Sequence, residues 1–176
     1  SAKAAASLKD LGVTVRTNSL VTNIEDGKVT VRSGDETEEI EAETVLWAAG
    51  VKASGMGEAI AKRTGASLDR AGRVVVEKDL SVPGHPNIFV IGDLANYLHL
   101  GEKPLPGVAP VAMQEGAYVA KVIKCRLKDA TPPAFKYIDY GSLAVIGRNR
   151  AVVNLNFWRF SGFLAWIAWA FVHIYY

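Results

Sequence analysis

The chain of 176 residues is 49% hydrophobic and 22% charged, which excludes wholesale disorder and suffices for one ordinary domain or two partial ones. The net charge of +2 hides an asymmetry, since residues 1–120 carry 12 Lys/Arg against 16 Asp/Glu and residues 121–176 carry 8 against 2. A basic end next to an apolar one points to an anionic membrane surface, and the lack of any nucleic-acid motif excludes nucleic acid as the partner.

Residues 2–11, Ala-rich with Leu8 and Leu11 three apart, read as a helix closed by Gly12. "VTVRT" (13–17) alternates like a strand. "LVTNIE" (20–25), Asp26-Gly27 and "KVTVR" (28–32) form a hairpin signal, because Asp-Gly supplies the positive φ angles of a two-residue turn. The acidic stretch 33–43 reads as a solvated turn with a strand resuming near Ile40. "TVLWAAG" (44–50) is a continuous apolar run, the pattern of a strand buried on both faces of a parallel sheet. A loop and short helix over 51–65 and an extended or paired segment over 72–82 follow. "NIFVIGD" (87–93) is the second buried strand, and 98–107 is a loop. Residues 108–128 are a long helix starting near Pro110, a residue tolerated in a first turn. "ATPPAF" (130–135) breaks it. Two strands flank the turn Gly147–Arg150 within 142–157, and an apolar run closes the chain.

The single Cys125, in the helical setting "KVIKCRLK", excludes an internal disulfide and a redox cysteine pair and reads as a packing residue. No pattern of metal ligands stands out. There is no signal peptide, the opening "SAKAAASLKDLG" reads as a helix cut into, and the chain stops within "AFVHIYY". Both ends read as those of a fragment.

The two buried strands end alike, on Ala-Ala-Gly and on Gly-Asp. In open α/β sheets ligands sit beyond the carboxyl ends of strands, and glycine there lets a ligand approach the backbone. Asp93 would accept hydrogen bonds from sugar or polyol hydroxyls; the alternative is that it caps the following turn. The start of the helix at 108–128 follows by a short loop, so its positive end, worth about half an elementary charge, can face the same place. Val108, Val111, Ala112 and Val119 would equally serve as plain packing.

"TVLWAAG", "GHPNIFVIGDLA", "LPGVAPVAMQEGAYVA" and "YGSLAVIG…FSGFLAWIAWAFVH" together, in this order, resemble the C-terminal portion of the two-dinucleotide-binding flavoproteins, most closely the type II (alternative) NADH:quinone oxidoreductases. The resemblance implies a partial two-dinucleotide-binding, glutathione-reductase-like α/β fold. Residues 1–80 would be the later half of the NADH-binding domain, 81–130 the last part of the FAD-binding domain, and 131–176 a C-terminal sheet and membrane-anchor helix. It implies that Asp93 binds the ribityl chain of FAD with Gly92 giving room, and that the backbone at Val111 and Ala112 faces the pyrimidine edge of the flavin. Ala49 and Gly50 would lie near the nicotinamide of NADH. Gln114 matches the second glutamine of the Ala-Gln-x-Ala-x-Gln quinone motif, while Pro110 replaces the first. Neither of the two G-x-G-x-x-G fingerprints the family needs is in these 176 residues, so the chain alone is expected to bind neither FAD nor NADH tightly and to be inactive.

From Phe157 to Tyr176 the clearly polar side chains are Arg159, Ser161 and His173. Gly162 leaves 14 residues, roughly 21 Å of helix, which is too short to span a bilayer. Trp158, Trp166, Trp169, Tyr175 and Tyr176 suit a membrane–water interface, so residues 157–176 read as an anchor lying on one leaflet; the alternative is a core or dimer-contact helix. A homodimer stays open. Arg148 and Arg150 read as a solvated turn or as contacts to lipid phosphate or the quinone mouth. The expected parent is a peripheral enzyme on the cytoplasmic face of a bacterial inner membrane, or an equivalent organellar membrane, with quinone as electron acceptor. A sulfide:quinone oxidoreductase would need redox cysteines, the disulfide- and ferredoxin-type reductases have soluble C-terminal domains, and the non-enzyme reading is a membrane-binding piece.

Overall fold

The structure is a computed structural model that describes residues 2–98, 103–155 and 157–175. In chain order its elements are α1 (Ala2–Asp10), β1 (Ser19–Glu25), β2 (Lys28–Ser33), β3 (Glu36–Glu41), α2 (Met56–Thr64), β4 (Val74–Val75), β5 (Ser81–Val82) and β6 (His85–Phe89). A 3₁₀ turn (Gly92–Leu94), β7 (Ala95–Asn96), α3 (Ala109–Arg126), β8 (Ser142–Gly147), β9 (Arg150–Leu155), β10 (Trp158–Gly162) and α4 (Phe163–Tyr175) complete it. They form two compact units, one of Ser1–Ala48 with Tyr140–Tyr176 and one of Ala49–Asp139. Residues 99–102 of the expected loop, Tyr176, and the side chain of Tyr175 lie outside the described residues.

In the first unit, Gly27 takes φ +73° at the Asp-Gly turn, and β1 pairs with β2 antiparallel from Glu25↔Lys28 to Ser19↔Ser33. The acidic stretch is more regular than expected. β3 begins at Glu36 and pairs with β2 in full register, because Glu36, Glu38 and Glu39 can point to water while the backbone completes its ladder. Arg16 and Lys28 form ion pairs with Glu38 and Glu39 on that open surface. A second antiparallel sheet has the order β10-β9-β8, with Asn149 at φ +61° in the turn between β8 and β9. The helix α4 lies on it. Ala165, fully buried, meets Ala151 and Val153, with Trp166 and Trp169 packed against the same cluster. Each such apolar side chain withdrawn from water contributes about 1.5–3 kcal/mol for the larger residues. Arg150 pairs with Asp10 of α1 at 3.3 Å.

In the second unit, Val74, Val82, Val90 and Ala95 form one core, and Leu80, Tyr97 and Phe135 a second. The Phe135 ring, delivered by the Pro-rich break after α3, meets Tyr97 and Tyr118 at centroid distances of 5.4 and 5.1 Å. Pro110 sits in the first turn of α3, where it has no intrahelical hydrogen bond to forfeit. At the other end of α3, Arg126 donates to Asp79 at 2.8 Å and to the Pro86 carbonyl at 2.5 Å, and lies over the Phe89 ring. The helix is thereby pinned to the β5–β6 hairpin. Burial acts to raise the Asp79 carboxyl, but hydrogen bonds from Ser81 and the Arg126 charge outweigh it and hold the carboxyl below its ordinary range.

Four sequence expectations are corrected. "TVLWAAG" is not a strand, and Leu46 and Trp47 are 89% and 62% exposed. A doubly buried strand needs a neighbour on each side to bond its N–H and C=O groups, and among the described residues β4 and β7 are the one parallel pair. "VTVRT" is irregular and exposed for the same reason. "NIFVIGD" does contain a strand, but it is His85–Phe89, paired antiparallel with β5; Val90 beyond it is buried while Ile88 and Ile91 stay half-exposed. The C-terminal apolar run is also divided, since its first residues are β10 and only Phe163–Tyr175 is helical. No helix among the described residues is long and apolar enough to cross a membrane.

Candidate functional site

A cavity of about 370 Å³ opens in the second unit, lined by residues 51–54, 92–95 and 105–107, with Ala71, Arg73, Val111 and Glu115. Its floor is the junction of the 3₁₀ turn with the first turns of α3. Gly92 adopts φ +66°, and a Cβ there would lie 3.2 Å from the Cβ of Ala112, so only glycine lets turn and helix close to this distance. Beside Asp93, a Cβ on Gly107 would come within 3.2 Å of Asp93 Oδ1. Two glycines thus bracket the carboxylate.

Asp93 itself is exposed, and among the described residues no group donates a hydrogen bond to it. It does not cap a helix: the 3₁₀ turn is preceded by Ile91 and α3 by Val108, and neither start has a side-chain cap. Glu115 is the opposite case. Only 1% exposed, it accepts the Gly92 N–H at 2.5 Å. Burial pushes its carboxyl above the ordinary glutamate range; the Gly92 N–H pulls the other way, and the nearby Asp93 charge adds to the rise.

The lining also carries two cations, Lys52 and Arg73. Arg73 is held by Asp69, whose Oδ2 accepts Arg73 Nε at 2.7 Å and Asn96 Nδ2 at 3.0 Å, while Oδ1 accepts the Ala71 and Arg73 amides at 2.9 Å. Burial works to raise the Asp69 carboxyl, and the hydrogen bonds from Arg73 and Ala71 with the Arg73 charge keep it below its usual value. Arg73 thus presents a fixed rather than a mobile charge.

Residues 1–116 match the model of the pyridine nucleotide-disulphide oxidoreductase family. The chain belongs to this family. Two Mycobacterium tuberculosis proteins, the type II NADH:quinone oxidoreductases Ndh and NdhA, are 42% and 41% identical to it over 99% of the chain. The chain spans 37% of the length of each, so it is similar over nearly its whole length to a portion of such an enzyme. The structure of NDH2 from Plasmodium falciparum in complex with NADH superposes with a TM-score of 0.81 over 97% of the chain and 49% of that protein. At 17% identity this likeness speaks to the fold: a partial, mixed α/β flavoprotein fold carrying a C-terminal three-stranded sheet.

Within this family framework, the cavity gathers some of the residues singled out in the sequence and leaves others outside. Gly92, Asp93 and Val111 line it. Ala112 stands behind Gly92, outside the lining. The Val111 and Ala112 amides both donate to the Val108 carbonyl, at 3.0 and 3.3 Å, and Pro110 has no N–H. The helix start therefore acts on the cavity through its dipole rather than through free amides at these two positions. Ala49 and Gly50 do not line the cavity, although Val51 and Lys52 directly after them do. Gln114 points elsewhere: its Nε2 donates to the Ile138 carbonyl and its Oε1 accepts the Ile138 N–H, each at 2.9 Å.

Glu115, Arg73 and Lys52 escaped the sequence reading. Glu115 was within reach, because it is the lone acid in α3 and shares a stripe with Val111 and Val122, both buried. A single carboxylate four residues from one core valine and seven from another breaks an apolar face, and that break is a signal.

Proposed function

We propose that this chain forms the flavin- and quinone-facing portion of a membrane-associated flavoprotein that passes a hydride from NADH to FAD and two electrons from the flavin to a quinone. The observation that carries the reading is the Asp93 carboxylate, set in a cavity between two glycines with no protein donor among the described residues. An acceptor of this kind suits vicinal hydroxyls such as those of a ribityl chain. The cradle a Cβ would fill at Gly92 and Gly107, and the positive end of α3, fit a flavin on the same face. When bound, the flavin supplies the two-electron chemistry. The chain's own residues orient it and set the field around it.

On this reading Asp93 binds the polyol, Gly92 gives room, and the α3 start at Val111 and Ala112 favours negative charge on the pyrimidine edge. Ala49 and Gly50 stand toward the nicotinamide of NADH. Gln114 is the proposed quinone contact. Its two bonds to Ile138 fix its amide and leave one Nε2 hydrogen for a quinone oxygen. Residues 1–80 belong to the NADH-binding domain, 81–130 to the FAD-binding domain and 131–176 to the sheet and anchor. The intact protein is expected to purify with FAD and to oxidise NADH only when a quinone is supplied, whereas residues 1–176 alone retain no stoichiometric FAD. Flavin-free intact protein, or NADH oxidation indifferent to quinone, refutes the assignment.

The membrane contact is proposed for the outer side of α4. Leu164, Phe171 and Ile174 are 72%, 74% and 85% exposed, while Ala165, Trp166 and Trp169 pack on the sheet. That division makes a truncation at Phe157 a poor test, because it would also strip the sheet of its cover. Serine at Leu164, Phe171 and Ile174 together leaves the packed side intact. With roughly 1.5–3 kcal/mol at stake per large apolar side chain, liposome flotation of the triple variant should drop at least tenfold. Undiminished flotation would remove α4 as the anchor.

A further inference from the structure

We infer that Glu115 is a positioning residue that holds the Gly92–Asp93 turn through the Gly92 amide and so sets where the Asp93 carboxylate stands in the cavity. The geometry is independent of any ligand; its consequence for flavin rests on the functional reading above. A carboxyl only 1% exposed persists where it has a partner, and here the partner is the Gly92 N–H at 2.5 Å. Among the described residues no cation pairs with Glu115, so it is not half of a structural salt bridge. The amide it serves opens the 3₁₀ turn, whose start has no side-chain cap, and the first amides of such a turn have no partner within it.

The other contacts leave the turn little freedom. Gly92 is at φ +66° with Ala112 filling the space a Cβ on it would take, and Asp93 Oδ1 fills the space a Cβ on Gly107 would take. Among the described residues Glu115 is thus the one side chain that tethers Gly92 by a hydrogen bond, and Ala112 and Gly107 are the stops. An aliphatic residue at this position would suit the Val111–Val122 stripe of α3 better as packing. It would also leave the part-buried Gly92 N–H without its acceptor, so the acid is explained by the turn and not by the core.

The test uses the intact protein, stripped of flavin and titrated with FAD, with Glu115→Leu and Glu115→Gln compared. Glu115→Leu keeps a side chain of similar size but removes the acceptor, and is expected to weaken FAD binding about tenfold. Glu115→Gln retains a side-chain oxygen for Gly92 and is expected to bind FAD as the unmodified protein does. In the flavin-free protein, hydrogen exchange at the Gly92 amide should quicken in Glu115→Leu and not in Glu115→Gln. Equal FAD affinity in Glu115→Leu, or a loss in Glu115→Gln as large as in Glu115→Leu, overturns the inference. If the unmodified protein takes up no FAD, the flavin reading fails, and the exchange rates alone decide whether Glu115 holds the turn. A Glu115→Leu protein that does not fold leaves the comparison to Glu115→Gln and Glu115→Ala, read in the same two ways.

Discussion

Gly141→Ala is expected to destabilise the C-terminal sheet by roughly 3 kcal/mol, the sum of an overpacked backbone contact and a side chain forced into left-handed conformation. Gly141 sits at φ +96°, directly before β8, and a Cβ there would collide with the Asn154 carbonyl oxygen and approach Leu155 Cα to 2.8 Å. Both atoms are backbone of β9, so no side chain can swing aside. Relief requires β8 and β9 to part, and β9 is the central strand on which α4 packs. Gly162→Ala separates the two causes, because Gly162 has φ +90° but nothing within 4 Å of its would-be Cβ. It should lose only the conformational part, about 1 kcal/mol. Urea denaturation followed by tryptophan fluorescence reads both, since Trp166 and Trp169 pack on this sheet. Equal losses in the two variants would show that the clash at Gly141 is absorbed, and an unchanged midpoint in Gly141→Ala would contradict the packing described.

The second large effect concerns the cavity. Asp93→Ala in the intact protein is expected to weaken FAD binding by about 10- to 100-fold, the range set by losing hydrogen bonds to a charged acceptor worth roughly 1.5–3 kcal/mol. Asp93→Asn keeps one oxygen acceptor and should fall between. Folding should be nearly unaffected, because among the described residues Asp93 makes no hydrogen bond within the protein. That separation makes the experiment informative. Loss of flavin with an unchanged melting temperature places Asp93 at the ligand, whereas tight flavin binding by Asp93→Ala would remove the observation on which the functional proposal stands.

Much of the local structure was legible. Asp26-Gly27 dictates its own turn and Pro110 marks the first turn of α3, because each depends on the φ range or hydrogen-bonding capacity of one or two residues. The Gly147–Arg150 turn was read for the same reason, with Asn149 accepting φ +61°. The helix α1 and the hairpin β1–β2 followed from periodicity, which needs only the chain's own neighbours.

What failed needed partners. "TVLWAAG" has the composition of a buried strand, but burial is conferred by other strands and not by composition, and Leu46 and Trp47 remain in water. The aromatic end looked like one surface element, yet β10 claims its first residues by pairing with β9, and α4 turns Trp166 and Trp169 inward and Phe171 outward. Beside the cavity, the structure adds to the motif glutamine Gln114 a pair of amide hydrogen bonds to Ile138, which the motif does not announce. Its neighbour Glu115, about 100° further round the helix, is the one that reaches the Gly92 turn.

By itself, the sequence determined the turns, the helix starts and the resemblance that names the family, since these reside in residue types and their order. Only the tertiary structure decided which carboxylate is buried and which is open. Glu115 and Asp93 are both acids with the same intrinsic chemistry. The crossing of α3 with the 3₁₀ turn gives one of them an amide and a dry environment, and leaves the other facing a cavity with its acceptors unspent.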